Sequence, residues 1–430
     1  MKTRGTLRLA TRGSTLARRQ ATLVTQPLED RGYEVDLVTV ETTGDQLPDE
    51  LIHRLGTTGA FVRELDERVL DGSVDGAIHS MKDVPTEQPT ELVSAAVPER
   101  GRPSDVLVTP DGISLDGLPE GATVGTSSLR RGAQLQAERP DLTVEPLRGN
   151  VDTRLEKLLA PTLQREREER QEREESDSSA GGYKPTYDDA DTDDDGDADE
   201  NADDEDGSHE TAGAWVADLP PLHQAALERD VETEYDAIVL AEAGLHRSGL
   251  AGQVSYQRLE TTPFVPAPGQ GALVVTALDG DTAHTLQGLL DHPRSRVETT
   301  VERTILAELG GGCIAPVGIY AVLQGEYVHA TVGVYDRDGT ESVTASRDLP
   351  VDDYAEAARA FARDLADRGA AALIDDARRD QDEAEAVDRT DASGDDTPNG
   401  ETGDDEPGGE TDVGPSDVDG QDDEGPGDPA

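Results

Sequence analysis

The stretch Leu7-Arg8-Leu9-Ala10-Thr11-Arg12-Gly13-Ser14 reads as a short buried strand that runs through a turn into the first residue of a helix. Leu7–Ala10 supplies the strand, and Ser14 is the kind of residue whose hydroxyl accepts a first-turn amide. Tyr33–Val40 alternates as a second strand. Two loops, Thr42-Thr43-Gly44-Asp45 and Gly56-Thr57-Thr58-Gly59, precede an amphipathic helix from about Ala60 to Leu70, and Asp75-Gly76-Ala77-Ile78-His79 ends a third strand. Strand, helix and strand in this order predict a βαβ unit in a parallel sheet.

A similar pattern begins near Asp105. Strands are expected at Val106–Val108 and Thr123–Gly125, a helix at about Ser128–Arg139, a strand at Leu142–Glu145, a helix to about Leu159 and a strand at Tyr235–Leu240. Pro266-Ala267-Pro268-Gly269-Gln270-Gly271 is a turn feeding Ala272–Ala277, a strand expected to return to the first sheet. A helix over Val297–Leu309, strands around Val317–Val322, Tyr327–Val334 and Glu341–Ser346, and a helix from Asp352 to about Ala371 complete a small third domain.

The fold class is therefore α/β, with two similar doubly wound lobes around a cleft and a small α/β C-terminal domain. The expected limits are 1–100 with 268–290 for domain 1, 101–267 for domain 2 and 291–375 for domain 3. An acidic insert at about 161–232 and a tail at 376–430 are expected to be disordered, since high charge and low hydrophobicity leave little to offset ordering entropy.

The chain has 430 residues and a formal net charge of −55. Pro161–Asp230 and Asp376–Ala430 each carry a net −18, which leaves −19 on the remainder. Lysine occurs four times against thirty-four arginines, and aromatic residues make up 3%. Such a surface suits a cytosol of very high salt, where screening makes self-repulsion tolerable. It lacks the basic footprint that nucleic acid requires. No segment approaches the roughly 18 apolar residues of a membrane span, and no apolar leader precedes Leu7. A cytoplasmic, monomeric protein is expected, without nucleic-acid or membrane partners. One cysteine excludes an intrachain disulfide and a Cys-rich zinc site, and no metal site is expected.

Three stretches fall where strand gives way to helix or turn: His79-Ser80-Met81-Lys82-Asp83-Val84-Pro85, Gly125-Thr126-Ser127-Ser128-Leu129-Arg130-Arg131, and Leu147-Arg148-Gly149-Asn150-Val151-Asp152-Thr153-Arg154. Hydroxyls, helix N-terminal amides and guanidinium groups together suit an anion carrying several carboxylates or phosphates. Arg12 and Ser14 repeat the theme on the first lobe. Asp83 would weaken such binding, so it either exchanges protons, faces a cation formed during a reaction, or simply pairs with a nearby arginine. Leu309-Gly310-Gly311-Gly312-Cys313-Ile314-Ala315-Pro316 places the lone thiol at the end of a glycine loop. It is either an accessible nucleophile or an ordinary buried cysteine.

Ala10–Ser14, His79–Pro85, Val124–Arg131, Leu147–Asn150, Leu240–Leu250, Pro268–Gly271 and Gly311-Gly312-Cys313 occur in this order and resemble the motifs of the hydroxymethylbilane synthase (porphobilinogen deaminase) family, in a halophilic archaeal form. The resemblance runs from Leu7 to about Ala372. It implies lobes like those of type II periplasmic binding proteins. It also implies a transferase that joins four porphobilinogen molecules head to tail into hydroxymethylbilane, releasing ammonia, in tetrapyrrole and haem biosynthesis. By the same resemblance, Cys313 anchors a dipyrromethane cofactor through a thioether and Asp83 is catalytic. Ser80, Lys82, Thr126, Ser128, Arg130, Arg131 and Arg154 hold the cofactor, while Arg12, Ser14, Arg54, Arg148, Arg247 and Gln270 contact substrate. Arg54 and Thr57-Thr58 stand where many relatives carry lysine. A non-enzymatic, two-lobed anion-binding protein accounts for the arginines but not for Asp83 or the thiol. A thiol hydrolase lacks a histidine in a partner motif.

Overall fold

In the computed structural model, which describes residues 3–40, 60–180, 211–310 and 315–380, the opening stretch forms β1 (Thr6–Arg12) and enters α1 (Thr15–Asp30). Ser14 caps that helix, its hydroxyl accepting the Ala17 amide at 3.2 Å. The chain continues through β2 (Glu34–Val40), α2 (Ala60–Leu70), β3 (Gly76–Ser80) and β4 (Leu92–Ala96). It then crosses to β5 (Asp105–Thr109), β6 (Thr123–Gly125), α3 (Leu129–Glu138), β7 (Thr143–Glu145) and α4 (Val151–Ala180). Next come α5 (Ala212–Asp218), α6 (Pro221–Leu227), β8 (Ala237–Ala241), α7 (Glu242–Arg247) and β9 (Ser255–Arg258). A second crossing leads to β10 (Leu273–Leu278), α8 (Asp281–Leu290) and α9 (Pro293–Glu308), then β11 (Val317–Gln324), β12 (Tyr327–Tyr335), β13 (Ser342–Pro350) and α10 (Tyr354–Leu365). The loops expected at 42–45 and 56–59 lie outside the described residues.

Two five-stranded sheets share one topology: β2-β1-β3-β10-β4 and β7-β6-β8-β5-β9. In each, the βαβ pattern gives three parallel strands, as β1 pairs with β2 and β3 and β6 pairs with β7 and β8. The fourth strand in each sheet is antiparallel and arrives by crossing from the other half: β10 enters the first and β5 the second. Both sheets are thus mixed rather than wholly parallel. Where the crossings touch, the Gly101 amide donates to Gly271 O at 3.0 Å. Gly271 has φ +83°, and a Cβ there would stand 2.6 Å from Gly101 O, so only glycine lets the two backbones meet.

The third sheet, β11-β12-β13, is antiparallel. Its inward side chains, among them Ile319, Val328 and Val332, close a core with Val301 and Ile305 of α9 and Phe361 and Leu365 of α10. Beyond α10 the chain kinks at Gly369 (φ +108°) and stays helical over 371–380. Ala377 is buried there, so order persists past the expected tail boundary at 376.

The acidic segment expected to be disordered over 161–232 differs from expectation in its described parts. Helix α4 continues through Pro161 to Ala180, and α5 and α6 pack back onto it. Leu163, Trp215, Leu222 and Leu227 join the core formed by Leu155, Leu158 and Ile238. Each large apolar side chain so buried contributes roughly 1.5–3 kcal/mol, enough to outweigh a polar composition. Arg170 lies over the Trp215 ring at 4.9 Å. Gln164 Nε2 donates to Leu227 O (3.2 Å) and Arg229 O (2.8 Å). Residues 181–210 lie outside the described residues. No helix among the described residues is long and apolar enough to cross a membrane.

Candidate active site

Parallel strands deliver their following loops to one edge of a sheet, so the predicted motifs gather at strand ends. Strand β3 ends at Ser80 and tightens into a 3-10 turn, Met81–Asp83, closed by the Val84 amide on Met81 O at 3.2 Å. Met81 is buried against the crossing at Gly269, where an added Cβ would come within 2.9 Å of its Cγ. Holding Met81 inward leaves Lys82 exposed and Asp83 half-buried.

The Lys82 ammonium senses groups of both lobes. Asp83 beside it raises its pKa and is the largest single influence, but desolvation together with Arg131 and Arg154 outweighs this and leaves the pKa below the usual lysine value. Much of the side chain's surface stays open to solvent, yet protein surrounds it closely enough for desolvation to count. Arg154 is held to a pKa of about 10, first by desolvation and then by repulsion from Arg131 and Arg148. Its Nε donates to Gly149 O at 2.8 Å. Lys82, Arg131, Arg148 and Arg154 thus form a cluster of like charge, an arrangement that an anion relieves.

Asp105, at the start of β5, organises the second lobe's basic loop. Its Oδ1 accepts from Arg131 Nε (3.0 Å), Arg131 Nη2 (2.7 Å) and Gln270 Nε2 (2.9 Å), and its Oδ2 accepts from Arg130 Nη1 (2.8 Å). Burial alone would push this carboxyl up and is the largest single effect, but the two guanidinium charges and their hydrogen bonds overturn it and hold the pKa at about 2. Arg130 Nη1 also reaches Val265 O at 2.8 Å, and Arg131 Nη1 reaches Val239 O at 3.1 Å. Both arginines are buried and turned toward Asp105. Gln270 is 1% exposed and also donates to Pro103 O at 2.5 Å, so it braces the crossing.

The other expected residues distribute as follows. Ser128 caps α3, its hydroxyl accepting the Arg131 amide at 3.5 Å, and Thr126 Oγ1 accepts the Ser128 amide at 3.2 Å. Arg247, at the end of α7, donates to Gly271 O at 2.7 Å, and desolvation lowers its pKa. Arg12 sits half-buried at the end of β1, followed by the cap Ser14. Arg54 and Cys313 lie outside the described residues.

Two supports were not visible in the motifs. Asp105 opens β5 some 25 residues before Arg130 in the chain, so no local motif links this acid to the doubly basic loop. Glu302 is fully buried on α9, bonded to Arg100 (2.8 and 3.1 Å) and accepting the Gly269 (2.7 Å) and Ala321 (2.9 Å) amides. Burial raises its pKa despite Arg100. It ties the crossing loop to the third sheet.

The family description "porphobilinogen deaminase, dipyromethane cofactor binding domain" matches residues 7–164 and 224–285, and "porphobilinogen deaminase, C-terminal domain" matches 297–367. A probable porphobilinogen deaminase of Halobacterium salinarum is 53% identical over 86% of this chain and 98% of its own. One from Methanococcoides burtonii is 38% identical over 86% and 96%, and the porphobilinogen deaminase of Acidothermus cellulolyticus is 36% identical over 86% and 91%. Among solved structures, the methionine-binding protein MetQ aligns over 65% of this chain and 87% of its own at 10% identity and TM-score 0.31.

Proposed function

The chain belongs to the porphobilinogen deaminase family, and from that premise we infer that it joins four porphobilinogen molecules head to tail into hydroxymethylbilane, releasing ammonia, in tetrapyrrole biosynthesis. The observation that carries this reading is that Lys82, beside Asp83 on the first lobe, lies within electrostatic reach of Arg131 and Arg154 of the second. A polyanion-binding surface on which Asp83 stands beside Lys82, while Asp105 is taken by Arg130 and Arg131, matches a substrate that bears an acetate and a propionate yet becomes cationic when ammonia leaves.

The family's dipyrromethane cofactor supplies, when bound, the primer on which the product is built, and its carboxylates fit the like-charged cluster described above. Lys82, Arg148 and Arg154, with the Ser80, Thr126 and Ser128 hydroxyls, would hold those carboxylates. Arg131 adds its field while braced by Asp105, and Arg130 fixes the loop. Asp83 stabilises the positive charge that develops on the deaminating substrate and takes or returns a proton at its carboxylate, effects worth about 10²–10⁴-fold in rate. Arg12, Ser14, Arg54, Arg148 and Arg247 orient the incoming acetate and propionate. Cys313 anchors the primer; a thiol is the soft nucleophile that thioether formation needs.

The three sheets support a division into residues 1–100 with 268–290, 101–267 and 291–375. The composition supports a cytoplasmic monomer in a high-salt cytosol, and folding equally complete in dilute buffer and in molar salt would remove the salt requirement. Intact mass tests the central reading. The purified protein carries an adduct of two pyrrole units, and Cys313→Ala lacks both the adduct and activity. A wild-type protein of unmodified mass that still makes product would overturn it.

A further inference from the structure

Helix α9 does more than carry Glu302. The next residue, Arg303, reaches across to the segment that follows Asp83, where Nη1 donates to Val84 O at 2.8 Å and Nη2 to Pro85 O at 2.7 Å. A planar fork on two successive carbonyls fixes both position and tilt, which a point-like ammonium does not. Among the described residues no carboxylate pairs with this guanidinium, and desolvation lowers its pKa. A charged group is thus half-buried with backbone carbonyls as its hydrogen-bond acceptors.

Packing does not make the fork redundant. The Val84 side chain is anchored with Val62, Met81, Val97 and Val274, and a cavity of about 220 Å³ lined by Met81, Thr86, Val97, Thr300, Arg303 and Thr304 adjoins the same segment. Open space therefore touches Met81 and Thr86, on either side of the Val84-Pro85 backbone in sequence, and the two hydrogen bonds from Arg303 add restraint there.

We propose that Arg303 is a positioning residue for Asp83: from α9 it holds the Val84-Pro85 backbone and thereby sets where the carboxylate meets each incoming pyrrole. This rests on the reading of Asp83 as the group that stabilises the deaminating substrate. Rate depends steeply on such placement, since about 1 Å of misplacement costs on the order of 10²-fold.

The test uses full-length protein carrying its cofactor and measures porphobilinogen consumption. Arg303→Lys is expected to lower kcat about 10-fold and Arg303→Ala about 100-fold, with KM within about 3-fold and the pyrrole adduct intact by mass. Added guanidinium ion is expected to restore part of the Arg303→Ala rate and none of the Arg303→Lys rate. Unchanged kcat, or a loss that follows loss of the adduct or of the fold in both variants, overturns the proposal. Asp83→Asn, measured in parallel, separates the two readings. Turnover retained there removes the role of Asp83 itself, whereas an inactive Asp83→Asn beside fully active Arg303 variants removes only the positioning role.

Discussion

Asp105 and Arg131 meet through two hydrogen bonds onto one oxygen: Oδ1 lies 3.0 Å from Nε and 2.7 Å from Nη2. Both side chains are almost wholly buried, and the second carboxylate oxygen is taken by Arg130. One acid therefore compensates two guanidinium groups inside the protein. Removing one partner of such a cluster costs about 3–5 kcal/mol, because the remaining charges stay buried. Asp105→Asn is expected to lower unfolding free energy by that amount, read from denaturant midpoints at fixed salt. A loss below about 1 kcal/mol would mean that the arginines find other partners.

The same carboxylate makes stability depend on acid. Its folded pKa is about 2, below the roughly 3.9 of an unfolded aspartate. A depressed carboxyl contributes fully above the unfolded value, and its contribution fades as pH falls from about 4 toward 2. The difference is worth about 2.6 kcal/mol, since each pKa unit is about 1.4 kcal/mol. Wild type should lose this increment over that window, and Asp105→Asn should show a shallower acid slope in the same titration.

Much of this architecture was legible from local pattern. The Leu7–Ser14 strand and cap, the strand leading to Asp83 and the capped helix at Ser128 are specified by residues adjacent in sequence, which is where propensity and capping act. The antiparallel strands β5 and β10 depend on a crossing at Gly101 and Gly271, set by contacts far apart in the chain. The inward turn of Arg130, Arg131 and Gln270 was hidden for the same reason: the motif shows the donors but not the distant acid that claims them. The insert misled through averaging, because Leu163, Trp215 and Leu222 are few among many charges yet are the residues that pack.

The crossing makes a steric prediction. Gly271 has φ +83° and would place a Cβ 2.6 Å from Gly101 O and 3.0 Å from Arg102 O. Backbone cannot swing aside as a side chain tip can. Gly271→Ala is therefore expected to cost more than about 1 kcal/mol in conformation alone and to displace Arg247, whose Nη2 donates to the Gly271 carbonyl. Thermal unfolding reads the first effect and a raised KM the second. Wild-type values for both would show that the crossing relaxes.

Arg154 carries a different cost. Its pKa of about 10 reflects desolvation and repulsion from Arg131 and Arg148, so its charge is held at some expense until an anion arrives. Arg154→Met should leave the cofactor-free Cys313→Ala background as stable as before, or slightly more so. Anion affinity should fall by about 1.5–3 kcal/mol, the worth of a charge-assisted hydrogen bond, or roughly 10–150-fold. A porphobilinogen titration of that background by calorimetry measures it. Equal affinity with and without Arg154 would place the cofactor carboxylates, for which porphobilinogen stands in here, elsewhere.

Trp215 tests whether the acidic insert folds as part of the second lobe. Its ring is 9% exposed, packs with Leu163 and Leu222 and lies under the Arg170 guanidinium. Truncating a buried tryptophan to alanine costs about 3–5 kcal/mol when the site cannot collapse. Here the cost falls on α5, α6 and the end of α4, which meet the core through Leu158 and Leu227 rather than through the cleft. Trp215→Ala is expected to raise amide exchange in 211–227 and to lower the melting temperature, with kcat and KM unchanged. A matching loss of kcat would show instead that the insert couples to the Arg154 helix, since α4 carries both.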